Sequence, residues 1–321
     1  MSSQLRTVMA ATMVCMSRLA NANDAVPGTV SIPPEATIES TTYFDFVSTF
    51  NHEAYRVKVY IPPGKSPEAG YPTLYVLDGN ILFSTFAGAV RNEAQAKERE
   101  QAVVVGIESG EGKDGGDRTF DFTPSDLTAY EKKIVVDLGD NPRFGGYENF
   151  LRTIQEEIKP RIGQLVKVDR TRDMLLGWSL GGQFVVHTLF VHPEAFSTYI
   201  ALSPSLWRND KAVMKEIPAF EKATMASGRR VGLFVGVGGL EQTMTPALKQ
   251  WDVDPTRFAA EIEYARMVGN VVDFTTELKP FFAKRGLPFY SKVFDGETHN
   301  TVPWAAVNPI LRFALPAPPA G

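Results

Sequence analysis

The stretch from Asp173 to Phe190 constrains the fold more than any other. An apolar run, Met174-Leu175-Leu176, leads into Gly177-Trp178-Ser179-Leu180-Gly181-Gly182, and Gln183 to Phe190 has the length and apolar spacing of a buried helix. Strand, sharp turn and helix in that order is the layout of a nucleophile elbow, in which a serine sits on a strained turn with its hydroxyl pointing outward. Gly177 and Gly181 stand where the chain must approach itself closely. The alternative is a glycine-rich turn with an idle serine, so the remainder of the chain has to decide.

That remainder alternates between strand-like and helix-like segments from Thr42 onward, which predicts an α/β fold with a mostly parallel central sheet and helices on both faces. Ala54 to Ile61 alternates around Val57 and Val59 until Pro62-Pro63-Gly64 ends it, and Thr73 to Leu77 and Ala102 to Ile107 read as strands buried on both faces. Gly110 to Gly146 is polar, rich in Gly and Asp, and too long for a simple connection, so it reads as a binding loop or lid. Tyr147 to Ile162 carries Phe150, Ile154, Ile158 and Ile162 four apart, as in an amphipathic helix. Beyond the elbow come strands at Thr198 to Leu202, Arg230 to Val235 and Pro288 to Phe294. A helical region runs from Pro255 to Ala283, a last helix from Val302 to Phe313, and the Pro-rich tail from Leu315 to Gly321. With 321 residues and 44% hydrophobic content, one large domain over 23–321 accommodates all of this.

A serine hydroxyl needs a base, and histidine has the pKa for that work near neutrality. Of the four histidines, His52 precedes the elbow, and His187 and His192 lie in or just after the helix that follows it, facing away from the hydroxyl. His299, after the last strand, fits the chain order serine, acid, histidine. The acid orients the imidazole, and Glu241 follows a strand through Gly236-Val237-Gly238-Gly239-Leu240. Asp252, Asp254 and Asp273 are its rivals, and Glu241 would alternatively cap the next helix. Two backbone N–H groups are needed for an oxyanion. Leu180 after the nucleophile and Asn80 after Leu77-Asp78-Gly79 are the candidates.

Other chemistries find no support. Gly236 to Glu241 has Glu where a dinucleotide fingerprint needs its third Gly, and Gly112-Lys113-Asp114 lacks the frame of a P-loop. No clustered His and carboxylate set suggests a metal, so neither cofactor nor metal is expected. The formal charge of -4 and pI near 5.7 argue against a nucleic-acid or anionic-membrane partner. Residues 1–22 read as a secretory signal, with Arg6, an apolar core from Thr7 to Met16, and Ala20-Asn21-Ala22 as the cleavage site. The alternative is a frayed N-terminal segment. Cleavage would remove Cys15, the sole cysteine, and take the 33 basic residues to 31 against 37 acidic, a charge of -6. No other stretch reaches the roughly 18 apolar residues of a membrane span.

Several separated segments together resemble one family. They are Tyr71 to Asn80, Arg118-Thr119-Phe120-Asp121-Phe122-Thr123-Pro124, the elbow with Gly182, and Leu202-Ser203-Pro204-Ser205-Leu206-Trp207. The chain resembles the family described as putative esterases, in the α/β-hydrolase superfamily, and within it the enterobactin-type siderophore esterases of the bacterial periplasm. The resemblance spans about Thr42 to Leu315 and implies hydrolysis of an ester in a ferric or iron-free tri-catecholate siderophore. Mycolyltransferases, formylglutathione hydrolases and feruloyl esterases share much of this framework, so an acyltransferase and a general carboxylesterase remain open. A non-catalytic binding protein on the same scaffold is the third reading. Arg118 matches a family arginine expected to meet anionic substrate, or it ties down its loop through Asp121. Trp207 forms a pocket wall or belongs to the core. One departure is the acidic, glycine-rich run from Gly110 to Gly116, which sets like charge against an anionic ligand.

Overall fold

A computed structural model describes residues 38–109, 117–135, 142–250 and 253–318. Its strands are β1 (Thr41–Val47), β2 (Ala54–Tyr60), β3 (Tyr71–Leu77), β4 (Val103–Ser109), β5 (Val168–Trp178), β6 (Thr198–Leu202), β7 (Gly232–Gly238) and β8 (Phe289–Phe294). They form one sheet in the order β1-β2-β4-β3-β5-β6-β7-β8. The pairs β1/β2 and β2/β4 are antiparallel, and every later neighbour pair is parallel.

The central strands read as apolar runs because both their faces are covered. Along β3 every residue is buried, and alternate side chains enter different cores. Tyr75 and Leu77 join Val105 and Ile107 on one face, while Leu74 and Val76 join Val104 on the other. The first face is covered by helices contributing Phe150, Phe184, Phe220 and Phe274, the second by helices contributing Leu82, Phe86 and Ile310. Phe150, Ile154, Ile158 and Ile162 are fully buried. A spacing of four exceeds the 3.6 residues of an α-helical turn, and the chain absorbs the excess in a π turn at Thr153–Ile158 between helices Tyr147–Arg152 and Lys159–Leu165.

Three boundaries differ from the sequence reading. Strand β5 starts at Val168 instead of Asp173, because its first half is polar and largely solvent-facing and carries no apolar signal. The helical region after Pro255 is two helices, Pro255–Ala265 and Met267–Lys284, broken at Arg266 with φ 41. The last helix divides likewise at Ala306 into Val302–Ala305 and Val307–Ala314. Within the long polar connection the described residues hold a short helix, Arg118–Phe122, whose N-cap Asp117 accepts from the N–H groups of Thr119 and Phe120 at 2.9 and 3.1 Å. The expected signal segment and the run from Gly110 to Gly116 lie outside the described residues.

Candidate active site

The site is assembled at the carboxyl ends of the parallel strands, where open α/β sheets place their ligands. Strand β5 ends at Trp178 and the helix Leu180–Val191 begins two residues later, leaving Ser179 on the turn with φ 61 and ψ -118. That backbone conformation is costly for a residue with a side chain and is held by its surroundings. The Ser179 N–H donates to the Leu202 carbonyl at 2.9 Å, and the Ser179 carbonyl accepts from Gln183 and Ser205 at 3.0 and 3.1 Å. A Cβ on Gly177 would stand 2.2 Å from the Gly181 carbonyl oxygen, and one on Gly182 would stand 2.7 Å from that of Leu202. The tightest approaches are therefore at Gly177 and Gly182, whereas Gly181 meets its nearest neighbour, Asp78 Oδ2, at 3.3 Å.

The carboxyl end of β7 brings Glu241 beneath His299, which follows β8. Glu241 Oε2 accepts from His299 Nδ1 at 2.7 Å, and its Oε1 accepts from the Ser203 hydroxyl at 2.5 Å and the Gly238 N–H at 2.6 Å. With Oε1 engaged by two donors, the carboxylate presents Oε2 to the imidazole, which fixes Nδ1 as the protonated nitrogen and leaves Nε2 for proton exchange. The Glu241 side chain is 1% exposed and that of His299 is 36% exposed, so the carboxylate is enclosed while the imidazole reaches the surface of the cavity. Two of the rivals of Glu241 are occupied elsewhere. Asp254 caps the helix Pro255–Ala265, Asp273 pairs with Arg266 at 2.5 Å, and Asp252 lies outside the described residues.

Ser179, Glu241 and His299 line one cavity of about 400 Å³, together with Trp207. As the side chains stand, Ser179 Oγ and His299 Nε2 are not hydrogen-bonded to each other, a separation common in hydrolases without substrate. Trp207 is 7% exposed and packs edge-on against Tyr264, so it is both cavity wall and part of a small outer core. His187 is bonded to Glu216 at 2.8 Å and His192 to Glu194 at 3.2 Å, both away from the cavity, and His52 occupies the β1–β2 turn.

Asn80 and Leu180 each sit in the first turn of a helix, where N–H groups have no carbonyl one turn back. The helix Gly79–Gln95 starts from Asp78 in the left-handed conformation, φ 54, and a Cβ on Gly79 would stand 2.6 Å from the Gly106 carbonyl carbon. This turn leans on the elbow through Arg118. Its guanidinium donates to Asp78 at 2.5 and 3.0 Å and to the carbonyl of Trp178 at 3.2 Å. Arg118 is engaged by Asp78, outside the described cavity lining, and does not meet Asp121, so where the sequence reading tied its loop through Asp121 the contact is with Asp78. Asp121 instead accepts from Tyr55 and Asn51 at 2.8 and 3.2 Å. Burial pushes the Asp121 carboxyl up to about 8 against the pull of the Tyr55 hydroxyl.

Sequence reasoning missed three contributors. Ser203, with φ 41, holds the carboxylate; Asp78 holds Arg118. Trp178 holds the His299 loop, its indole N–H donating to the His299 carbonyl at 3.0 Å while its ring lies 5.0 Å from the imidazole. Ser203 and Asp78 stand inside segments that carry the family resemblance, and that was their only signal.

Comparison with known proteins agrees with this layout. Residues 48–307 match the model of the family described as "Putative esterase". The ferri-bacillibactin esterase BesA of Bacillus subtilis is 32% identical over 297 residues, covering 90% of both chains. An apo-salmochelin esterase of Escherichia coli O6:H1 is 30% identical over 214 residues, covering 65% of each. The crystal structure of the BES protein from Bacillus cereus superposes with a TM-score of 0.71 at 28% identity, over 89% of this chain and 99% of that one. A family match of this length, carried on an eight-stranded, mostly parallel sheet, makes the chain a member of the esterase family with the α/β-hydrolase fold.

Proposed function

We propose that this chain is a serine esterase that cleaves a siderophore ester of the catecholate type through an acyl-enzyme. His299 Nε2 takes the Ser179 proton as Oγ bonds to the ester carbonyl carbon, and the oxyanion receives hydrogen bonds from the Leu180 and Asn80 N–H groups. Collapse breaks the ester C–O bond, and the imidazolium returns the proton to the departing alcohol. Water, deprotonated by His299, then attacks the acyl carbon and restores Ser179. Glu241 stabilises the imidazolium in both halves. The observation that carries this reading is the 2.7 Å contact of His299 Nδ1 with Glu241 in a cavity shared with Ser179. The siderophore class rests on the named activities of the relatives.

Ser179→Ala is expected to lower kcat by about four orders of magnitude or more while the fold persists. A fluorophosphonate should label Ser179 in the parent only, and absence of that adduct in folded protein refutes the serine mechanism. Chromatography of a tri-catecholate trilactone after incubation should show linear fragments that are absent with Ser179→Ala. The domain organisation belongs to the same reading: residues 1–22 act as a secretory signal and 23–321 as one catalytic domain placing the enzyme outside the cytoplasm. Mass spectrometry of the exported protein should find a chain beginning at Asn23. Among the described residues no helix is long and apolar enough to cross a membrane.

A further inference from the structure

Two walls of the cavity beside Ser179 come from segments with little hold of their own. One wall is Trp207, and the other is the helix Pro255–Ala265, which lines the cavity with Phe258, Ile262 and Ala265. Of the 11 residues of that helix only Phe258 and Ala265 are buried. Beside it lies a second cavity of about 440 Å³, lined by Gln242, Met244 and Arg266 among others, and Ile262 borders both. The helix therefore has open space on two sides, where close packing would otherwise fix it. The segment after Trp207 is also costly by itself: Asn209, Asp210 and Lys211 take left-handed torsions in succession, with φ 50, 52 and 58. Contacts from outside the segment have to hold it.

Glu131 joins the two walls. It is fully buried, and its Oε1 accepts from the Tyr264 hydroxyl of the helix at 3.1 Å and from the Asp210 N–H at 3.4 Å, while its Oε2 accepts from the Thr128 N–H at 3.0 Å. One oxygen thus ties the helix to the turn that follows Trp207. Three neighbours reinforce the joint. Arg257, near the start of the same helix, donates to the carbonyls of Ile134 and Val135 at the end of the short helix Glu131–Ile134. The Tyr264 ring meets Trp207 and Tyr130 edge-on, with centroids 6.0 and 5.1 Å away. Arg208, 4% exposed, lies in the field of the Glu131 carboxylate and offsets its charge. Glu131 itself stands outside the cavity lining.

We infer that Glu131 is a positioning residue for the substrate cavity: by bridging Tyr264 and Asp210 it holds the helix Pro255–Ala265 and Trp207 at a fixed spacing, and so sets the width open to the bulky part of an ester. Its effect on turnover rests on the serine esterase reading; its hold on Trp207 does not. The Tyr264 hydroxyl keeps its proton for the bond, since burial and the neighbouring carboxylate push it up to about 12. A loosened clamp lets the walls move and leaves Ser179, Glu241 and His299 in place. Binding of a bulky acyl group then weakens while the chemical step persists.

The test uses the full chain and two variants. Tyr264→Phe removes one bond and keeps the ring against Trp207, and Glu131→Gln removes the charge. With p-nitrophenyl 3-phenylpropionate, Tyr264→Phe is expected to raise KM about threefold to fivefold with kcat within about twofold of the parent. With p-nitrophenyl acetate, whose acyl group is too small to span the two walls, neither constant should change. In a Trp207→Ala background the same substitution should move KM by less than about 1.5-fold, because one wall is gone. In protein labelled with 5-fluorotryptophan, the fluorine resonance lost in Trp207→Phe identifies Trp207, and it should shift or broaden in Tyr264→Phe and Glu131→Gln. Equal losses on both esters, a fall in kcat alone, additive effects with Trp207→Ala, or an unmoved Trp207 resonance each overturn the inference. Should Glu131→Gln fail to fold for want of a charge beside Arg208, Tyr264→Phe decides alone. If the folded parent cleaves no ester, the esterase reading fails, and the fluorine resonance still decides the clamp.

Discussion

Arg118 pairs its charge with Asp78. Its planar fork meets both oxygens of Asp78 and the Trp178 carbonyl, so one side chain joins the turn carrying Asn80 to the residue before Ser179. Under the proposed mechanism, an arginine so placed acts on the geometry of the Asn80 and Leu180 N–H groups. Arg118→Ala is expected to lower kcat by about tenfold for uncharged and anionic esters alike, with little change in KM, in line with about 1.4 kcal/mol of lost transition-state positioning. Arg118→Lys should rescue little, because an ammonium cannot reproduce the two-pronged contact. A rise in KM confined to anionic esters would instead make Arg118 a substrate ligand. Trp178 follows the same logic for His299: Trp178→Phe keeps the ring beside His299 and removes the hydrogen bond to its carbonyl. A kcat loss of about threefold to tenfold is expected, from a bond worth about 1 kcal/mol, measured alongside an unchanged circular dichroism spectrum.

At the level of elements, the elbow depends on how β5 is anchored to the helix layer. Lys159, on the helix Lys159–Leu165, pairs with Asp173 on β5 at 2.9 Å, with side-chain exposures of 6% and 2%. Its ammonium also donates to the Ala195 carbonyl at 2.8 Å and lies 4.0 Å from the Phe196 ring centroid. Burial pushes the lysine down and the aspartate up, each opposed by the other's charge. Lys159→Met strands a buried carboxylate and is expected to cost about 3–5 kcal/mol in urea unfolding. The double variant Lys159→Met/Asp173→Asn should recover a large part of that, and a cycle showing simple additivity would rule out the coupling. This anchor was invisible in the sequence. Lys159 and Asp173 are 14 positions apart in different kinds of element, and only packing one on the other brings them together.

For the molecule as a whole, Asp121 couples stability to pH. Its carboxyl is raised from 3.8 to about 8 in the folded state, chiefly by burial. Between those values the folded chain holds a proton that the unfolded chain has released, so stability falls as pH rises through that window. Asp121→Asn removes the ionisable group while keeping one neutral acceptor oxygen, and should flatten the decline, read as urea midpoints at pH 5 and pH 8. A slope equal to that of the parent would remove Asp121 as its source. The apolar runs predicted the central strands because burial on both faces leaves a pattern that survives in one dimension. The polar first half of β5 and the breaks at Arg266 and Ala306 escaped, since solvent-facing residues and single backbone torsions leave no periodic trace.

By itself, the sequence determined the order of strands and helices and the spacing of the elbow. It also put Ser179, Glu241 and His299 in the chain order of the proposed reaction, because these follow from local periodicity, glycine placement and the scarcity of histidines. The tertiary structure decided which carboxylate meets His299, that Ser203 and Trp178 hold the pair, that Arg118 turns inward to Asp78, and that the cavity wall is apolar and free of lysine and arginine among the described residues. Those are contacts between positions tens of residues apart. They exist only once the sheet has brought the carboxyl ends of β3, β5, β6, β7 and β8 to one edge.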